Sequence, residues 1–214
     1  MNLVLAPANH QSRYFMKKPI IAVDIDDTLA DHAEAFILWS NEKYGTGLTI
    51  DDYQDHWSKI WKIEQDETER RAVEFHDSKA HRSFAIKKDS KEVLERLSQS
   101  YDLVIVTARR QSVVQDSLEW IREYYGDIFK DVRFVPIWDK DNTLTKAAIC
   151  KELGASFLID DLLRHCEIAS DEGIQALLFG DYKWNSSIEL PENIVRVKNW
   201  SEIEKYFNER QLQK

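Results

Sequence analysis

The segment Ile20-Ile21-Ala22-Val23-Asp24-Ile25-Asp26-Asp27-Thr28-Leu29 sends an apolar run straight into three carboxylates within four positions. Like charges brought this close repel, at a cost in free energy that something positive must offset. A bound divalent cation is the direct candidate. Two later apolar runs end in complementary chemistry. The run 103–106 leads into Thr107-Ala108-Arg109-Arg110, which supplies a hydroxyl and guanidinium groups, and the run 156–159 leads into the acidic pair Asp160-Asp161. Lys146 stands near the start of the helix-like stretch between them, with Lys140 and Lys151 as nearby competitors for the same duty. Parallel pairing of these runs would bring Asp24, Thr107 and Asp160 to one sheet edge. Acid, hydroxyl, lysine and acid would then surround one point.

That convergence needs a particular scaffold. Short apolar segments at 20–25, 103–106, 132–137, 156–159, 176–179 and 194–197 read as strands bounded by polar or turn residues. Most are continuous apolar runs, as expected of strands buried on both faces of a parallel sheet. Helical patterns at 88–99, 112–124, 143–153, 162–170 and 200–209 alternate with them. The expected fold is therefore α/β, a doubly wound parallel sheet, and such sheets place ligands beyond the carboxyl ends of their strands.

One stretch breaks the rhythm. About seventy residues separate the first strand from the second, too long for a simple crossover. Residues 31–86 are polar, aromatic-rich and mostly helical in pattern, and are expected to form a small helical cap inserted after the first strand. Phe36, Ile37, Trp39 and Tyr44 share much of one helical face before the stop Gly45-Thr46-Gly47, and Thr49-Ile50-Asp51-Asp52 is expected to start another helix. The domain plan is an N-terminal extension at 1–16, a core at 17–30 and 87–214, and the cap at 31–86.

The 214 residues carry a formal net charge of −9. Long polyanions bind through Lys and Arg that neutralise phosphates, so a nucleic acid polymer is an unsuitable partner. A single small anion is different, because a local metal site overcomes the global sign. No apolar run approaches the ~20 residues that span a bilayer. The start MNLVLAPANHQSRYF lacks the basic and apolar regions of a secretory signal. Two cysteines, Cys150 and Cys166, make no disulfide framework, and the expected location is the cytoplasm. The six histidines show no ligand spacing.

With these residues in view, the chain resembles the haloacid dehalogenase (HAD) superfamily of phosphatases, whose four motifs match DIDDT, Thr107, Lys146 and Asp160-Asp161 in order. The resemblance implies that Asp24 is the nucleophile toward phosphorus. Asp26 would protonate the leaving oxygen and later activate water. Thr107, Ala108, Arg109 and Lys146 would hold the phosphate. Asp160, the Asp24 carboxylate and the Asp26 main-chain carbonyl would hold the metal, with Asp161 in support. An all-oxygen donor set suits a hard ion, so the implied cofactor is Mg²⁺. Such a site needs mainly alignment and charge stabilisation to transfer a phosphoryl group.

The opening DIDDTLADHAEAF, the insertion after it and the late GDYKWN segment are similar to the 5′(3′)-deoxyribonucleotidase group, which implies a nucleoside monophosphate substrate. Two positions depart from that group. Several of its members carry a small residue at Asp27 and a base-stacking aromatic ring at His32. Phe36, Trp39, Trp57 and Trp61 offer either another stacking platform or the cap's own core. Other readings stay open: a phosphatase of sugar or other metabolite phosphates, a phospho-acceptor switch like receiver domains, or a silent binding protein on this fold. Dehalogenase chemistry has no need of the acid/base group that Asp26 supplies. Asp27-Thr28 would also serve simply as a helix cap, and Arg109 as surface charge.

Overall fold

The computed structural model describes residues 17–136, 143–186 and 189–212. The expected extension at 1–16, the end of the third strand at Ile137, and Lys140 lie outside them.

Six parallel strands make one sheet: β1 (Ile20–Val23), β2 (Asp102–Arg109), β3 (Asp131–Pro136), β4 (Ala155–Asp160), β5 (Gln175–Phe179) and β6 (Ile194–Val197). Their order is β3-β2-β1-β4-β5-β6, with every neighbour parallel. The chain winds outward from β1 to β3 and then restarts on the other side of β1 with β4. The gap between β1 and β4 is thus the switch point at which open sheets of this kind bind ligands.

Alternate strand residues feed two cores, because successive side chains point to opposite faces. Ile21, Val23, Leu103 and Ile105 pack with helices α4 (Ser90–Leu97), α5 (Val114–Tyr125) and α8 (Trp200–Gln211). Ile20, Ala22, Val104 and Val106 pack with α6 (Lys146–Leu153) and with Ala169 of α7 (Leu163–Asp171).

Three boundaries differ from the sequence pattern, each for a local reason. β1 stops at Val23, because the N–H groups of Leu29 and Ala30 turn back to the Ile25 carbonyl and Asp27 adopts φ +53°. β2 continues to Arg109, paired with β3 as far as Pro136, so Thr107 and Ala108 lie within the strand and not beyond it. The segment begun by Thr49 makes only a 3₁₀ turn, Ile50–Asp52. The Asp52 carboxylate takes the Thr49 N–H at 2.8 Å, and Tyr53 is already extended.

Between β1 and α4 lie α1 (His32–Tyr44), α2 (Trp57–Trp61) and α3 (Gln65–Asp77). Gly45 in the left-handed region ends α1, a conformation that glycine adopts without penalty. These helices close on an aromatic cluster in which Phe36 lies 4.4 Å from Trp57, 5.0 Å from Trp61 and 5.5 Å from Phe75, between ring centroids. Phe36 and Trp61 are buried there, whereas Trp57 also reaches a cavity.

The inserted segment leaves and rejoins the core through paired backbone. Asp31 N–H donates to the Ala85 carbonyl at 2.9 Å, and Lys87 N–H donates to the Leu29 carbonyl at 2.8 Å. Buried core tryptophans pin both crossings. The Trp200 indole donates to the Thr28 carbonyl at 3.0 Å and the Trp120 indole to the Phe84 carbonyl at 2.9 Å.

Trp200→Phe keeps most of the buried ring but strands the Thr28 carbonyl. Losing one partner of a buried hydrogen bond costs about 1–3 kcal/mol. Chemical denaturation is expected to show a loss of that size, and an unchanged midpoint would deny the anchor.

Candidate active site

Asp24 follows β1 directly, and its N–H donates to the Ile159 carbonyl at 3.0 Å, which seats it beside Asp160 at the end of β4. The Thr145 hydroxyl caps α6 by accepting the Ala148 N–H at 3.1 Å, so the helix opens at Lys146. That start aims Lys146 at the gap between the two strands. Its Nζ lies 2.8 Å from Asp24 Oδ2 and 2.7 Å from Asp160 Oδ2. All three side chains are buried. Burial disfavours the lysine's charge, yet the Asp160 and Asp24 carboxylates outweigh it and hold the ammonium well above its ordinary range. Lys151, by contrast, pairs with Glu172 on the surface at 2.5 Å.

The remaining Asp160 oxygen accepts the Leu162 N–H at 3.0 Å, and His165 Nδ1 stands 3.1 Å away. Burial would raise Asp160, but Lys146 and His165 hold it below the usual carboxylate range. Asp161 receives the Trp184 indole N–H at 2.8 Å, and burial together with Asp160 pushes it well up. Burial also pushes Asp24 up to about 6, against the pull of Lys146.

Oxygens of Asp24, Asp160 and Asp161 lie within 4.8 Å of one another. With all three ionised, Lys146 offsets one of three negative charges and leaves two. Asp24 Oδ1 and the Thr107 hydroxyl are buried with no hydrogen-bond partner among the described residues. A divalent, oxygen-preferring cation such as Mg²⁺ fits this donor set and its charge.

Asp26 and Arg109 stand differently from expectation. The Arg109 guanidinium is buried and turned onto Asp26, with Nε 3.0 Å from Oδ2 and Nη2 on Oδ1, and its Nη1 donates to Ser117 Oγ at 2.7 Å. It is therefore not surface charge. Burial would raise Asp26, but Arg109 first and His32 next hold it well below the usual range. The Asp26 side chain is not in the three-carboxylate cluster; its expected metal contact is through the main chain.

Asp27 is buried and caps α1: both its carboxylate oxygens accept the Ala33 N–H at 3.1 Å. His32 is buried beside it, with Nδ1 3.1 Å from the Tyr53 hydroxyl and its ring stacked toward Trp57 at 6.0 Å. Burial would lower His32, but Asp26 and Asp27 raise it above its ordinary value.

A cavity of about 430 Å³ opens between these groups and the cap. Asp24, Asp26, Ala108 and Lys146 line it together with Trp57 and Phe75 of the inserted segment. The volume lies in the range of small-molecule sites. Sequence reasoning missed His165, Ser117, Tyr53 and Trp184. His165 was accessible as the residue one turn into the helix after Asp160-Asp161. Trp184 lies in the GDYKWN segment, which marks a resemblance but assigns the tryptophan no role, and Ser117 and Tyr53 carried no motif that would have marked them.

Residues 18–212 match the family described as 5′ nucleotidase, deoxy (Pyrimidine), cytosolic type C protein. A nucleotidase of Clostridium acetobutylicum is 28% identical over 189 residues, covering 88% of this chain and 93% of that protein. A 5′(3′)-deoxyribonucleotidase of Bacillus subtilis is 25% identical over 199 residues, covering 88% and 98%. Among solved structures, a haloacid dehalogenase-like hydrolase from Streptococcus pneumoniae superposes with a TM-score of 0.62 at 16% identity, covering 89% of this chain and 98% of that one. A HAD-hydrolase from Bacillus subtilis, bound to magnesium, gives 0.60 at 17% identity, covering 90% and 100%.

Lys146→Met would leave two buried carboxylates without their counter-charge. Breaking a buried pair in this way costs about 3–5 kcal/mol. Unfolding of the metal-free protein is expected to show that loss, with part recovered in Lys146→Met/Asp160→Asn. A single variant as stable as the parent would mean that the lysine does not hold the cluster.

Proposed function

The chain belongs to the cytosolic type C 5′ nucleotidase family of HAD-type hydrolases, and from that premise we propose that it removes phosphate from nucleoside monophosphates, with Asp24 as phosphoryl acceptor and Mg²⁺ as cofactor. It is a phosphate monoester hydrolase with a HAD-like α/β core, which sets aside the receiver and silent-binder readings.

The observation that carries the proposal is the division of labour on Asp24. Its Oδ2 is gripped by Lys146, while its Oδ1 is buried without a partner in a residue that lines the cavity. Oδ1 is the oxygen we assign to attack. A new Oδ1–phosphorus bond forms as the ester P–O bond breaks, and Asp26 gives its proton to the departing nucleoside oxygen. Asp26 then takes a proton from water as that water displaces Asp24 from phosphorus. Inorganic phosphate leaves and both carboxyls are restored. Bound Mg²⁺ supplies positive charge that offsets repulsion between the phosphate and the carboxylates. Thr107 and Lys146 orient the phosphate oxygens, which is most of what this reaction asks of a protein.

Arg109 holds Asp26 toward its ionised form. The phosphate of an arriving substrate competes for the guanidinium, since bidentate Arg–phosphate pairs are strong, and its transfer lets Asp26 take up from solvent the proton it then gives to the departing oxygen. Arg109 is thereby a phosphate ligand that rests on the acid. Support for a nucleotide comes from the family match, from the named activities of the relatives, and from the aromatic lining of Trp57 and Phe75. Base stacking contributes ~1–3 kcal/mol. Magnesium in the Bacillus subtilis structure of the same fold supports the choice of ion. Among the described residues no helix is long and apolar enough to cross a membrane, and two buried free cysteines suit a cytoplasmic site of action.

Phosphate release should be measured across nucleoside monophosphates and sugar phosphates, with Mg²⁺ and with chelator. The expected result is turnover of nucleotides that chelator abolishes. Asp24→Asn should cut turnover by about three orders of magnitude or more with the circular dichroism unchanged. Preference for sugar phosphates would replace the substrate, and an active Asp24→Asn would remove Asp24 from its role.

A further inference from the structure

The segment 180–185 after β5 takes no part in the reaction above, yet it grips the acidic cluster and the cap together. Gly180 sits at φ +88°, where a Cβ would run into the Tyr182 ring. Glycine there lets the chain fold back on itself. The Tyr182 and Trp184 rings lie face to face, 4.3 Å between centroids and 7° from parallel. The Tyr182 hydroxyl donates to the Asp27 carbonyl at 2.9 Å, which ties this stack to the first motif.

Asp161 is held at both ends by this segment. Asn185 Nδ2 donates to its main-chain carbonyl at 2.9 Å, and Trp184 Nε1 donates to its carboxylate Oδ2 at 2.8 Å. Asn185 is itself fixed, since Arg196 Nη2 donates to its carbonyl at 2.6 Å. Tyr53, from the inserted cap, meets the Trp184 ring edge-on at 4.9 Å and 66°. One indole thus touches a carboxylate of the candidate metal cluster and the cap at once.

We propose that Trp184 is a positioning residue that couples cap to cation: its N–H sets the Asp161 carboxylate, and its ring is the core surface on which Tyr53 seats. The proposal rests on the reading of Asp24, Asp160 and Asp161 as an Mg²⁺ site. Groups that orient a metal-binding carboxylate are worth 10–100-fold in metal affinity. Any contact that shifts the indole then shifts that affinity, and the coupling is reciprocal: bound Mg²⁺ favours the seated cap.

The test is calorimetric titration of the full chain with Mg²⁺ alone, without substrate. Trp184→Phe keeps the ring and removes the N–H; its Mg²⁺ dissociation constant is expected to rise about tenfold, with the circular dichroism of the metal-free protein unchanged. Tyr53→Leu touches no carboxylate of the cluster, yet is expected to weaken Mg²⁺ about fivefold. Tyr53→Phe keeps the ring on Trp184 and is expected to bind as the parent does. The double variant Trp184→Phe/Tyr53→Leu should bind no worse than Trp184→Phe, because the route from cap to carboxylate is already cut. Parent-like affinity in Trp184→Phe, or losses that multiply in the double variant, would overturn the inference and leave the metal reading standing. Absence of Mg²⁺ binding by the parent would overturn both.

Discussion

Lys146 lies 2.8 Å from Asp24 and 2.7 Å from Asp160, and these two buried ion pairs hold together the end of β1, the start of α6 and the end of β4. Each is delivered by a separate local device. The turn after Val23 exposes Asp24, the Thr145 cap starts α6 at Lys146, and the parallel β1–β4 pairing sets Asp160 beside Asp24. A desolvated carboxylate pair without that ammonium would be untenable. When Asp161 is ionised as well, the same ammonium leaves two of the three negative charges for a dication to offset.

Strain between stability and reactivity is distributed around that centre. Asp26 is neutralised by Arg109, and Asp27 is spent on capping α1 and fixing His32. Adjacent carboxylates of one motif thereby face three different environments and take three different tasks. The cap completes the enclosure, and its entry and exit are laced to core tryptophans by the Trp200 and Trp120 hydrogen bonds. Away from those roots, the inserted segment meets the core through Tyr53 on Trp184 and through the Asp55–Arg164 ion pair at 2.6 Å.

Much of this was readable before any coordinates. Continuous apolar runs identified all six strands to within a few residues, because strands buried on both faces leave no polar alternation to confuse the pattern. The carboxylates, Thr107 and Lys146 were found because their chemistry sits at strand ends and a helix start. Lys146 could not be told from Lys151 by spacing; the Thr145 cap separates them, and caps act through backbone geometry that residue type only suggests. The Arg109–Asp26 pair and the Trp184–Asp161 contact join residues far apart along the chain, 83 positions in the first case. No periodicity records such contacts. The short turn at Ile50–Asp52 went unread as such because a capping box signals a start without specifying how long the helix continues.

The central claim is that Asp24 carries the phosphoryl group in passing. Acid quench during turnover of a nucleoside monophosphate, followed by peptide mapping, tests it most directly. A phosphoryl mass increment is expected on the peptide containing Asp24, absent from the Asp24→Asn protein. A turning-over enzyme whose quenched peptides all lack that increment, or carry it elsewhere, would contradict it.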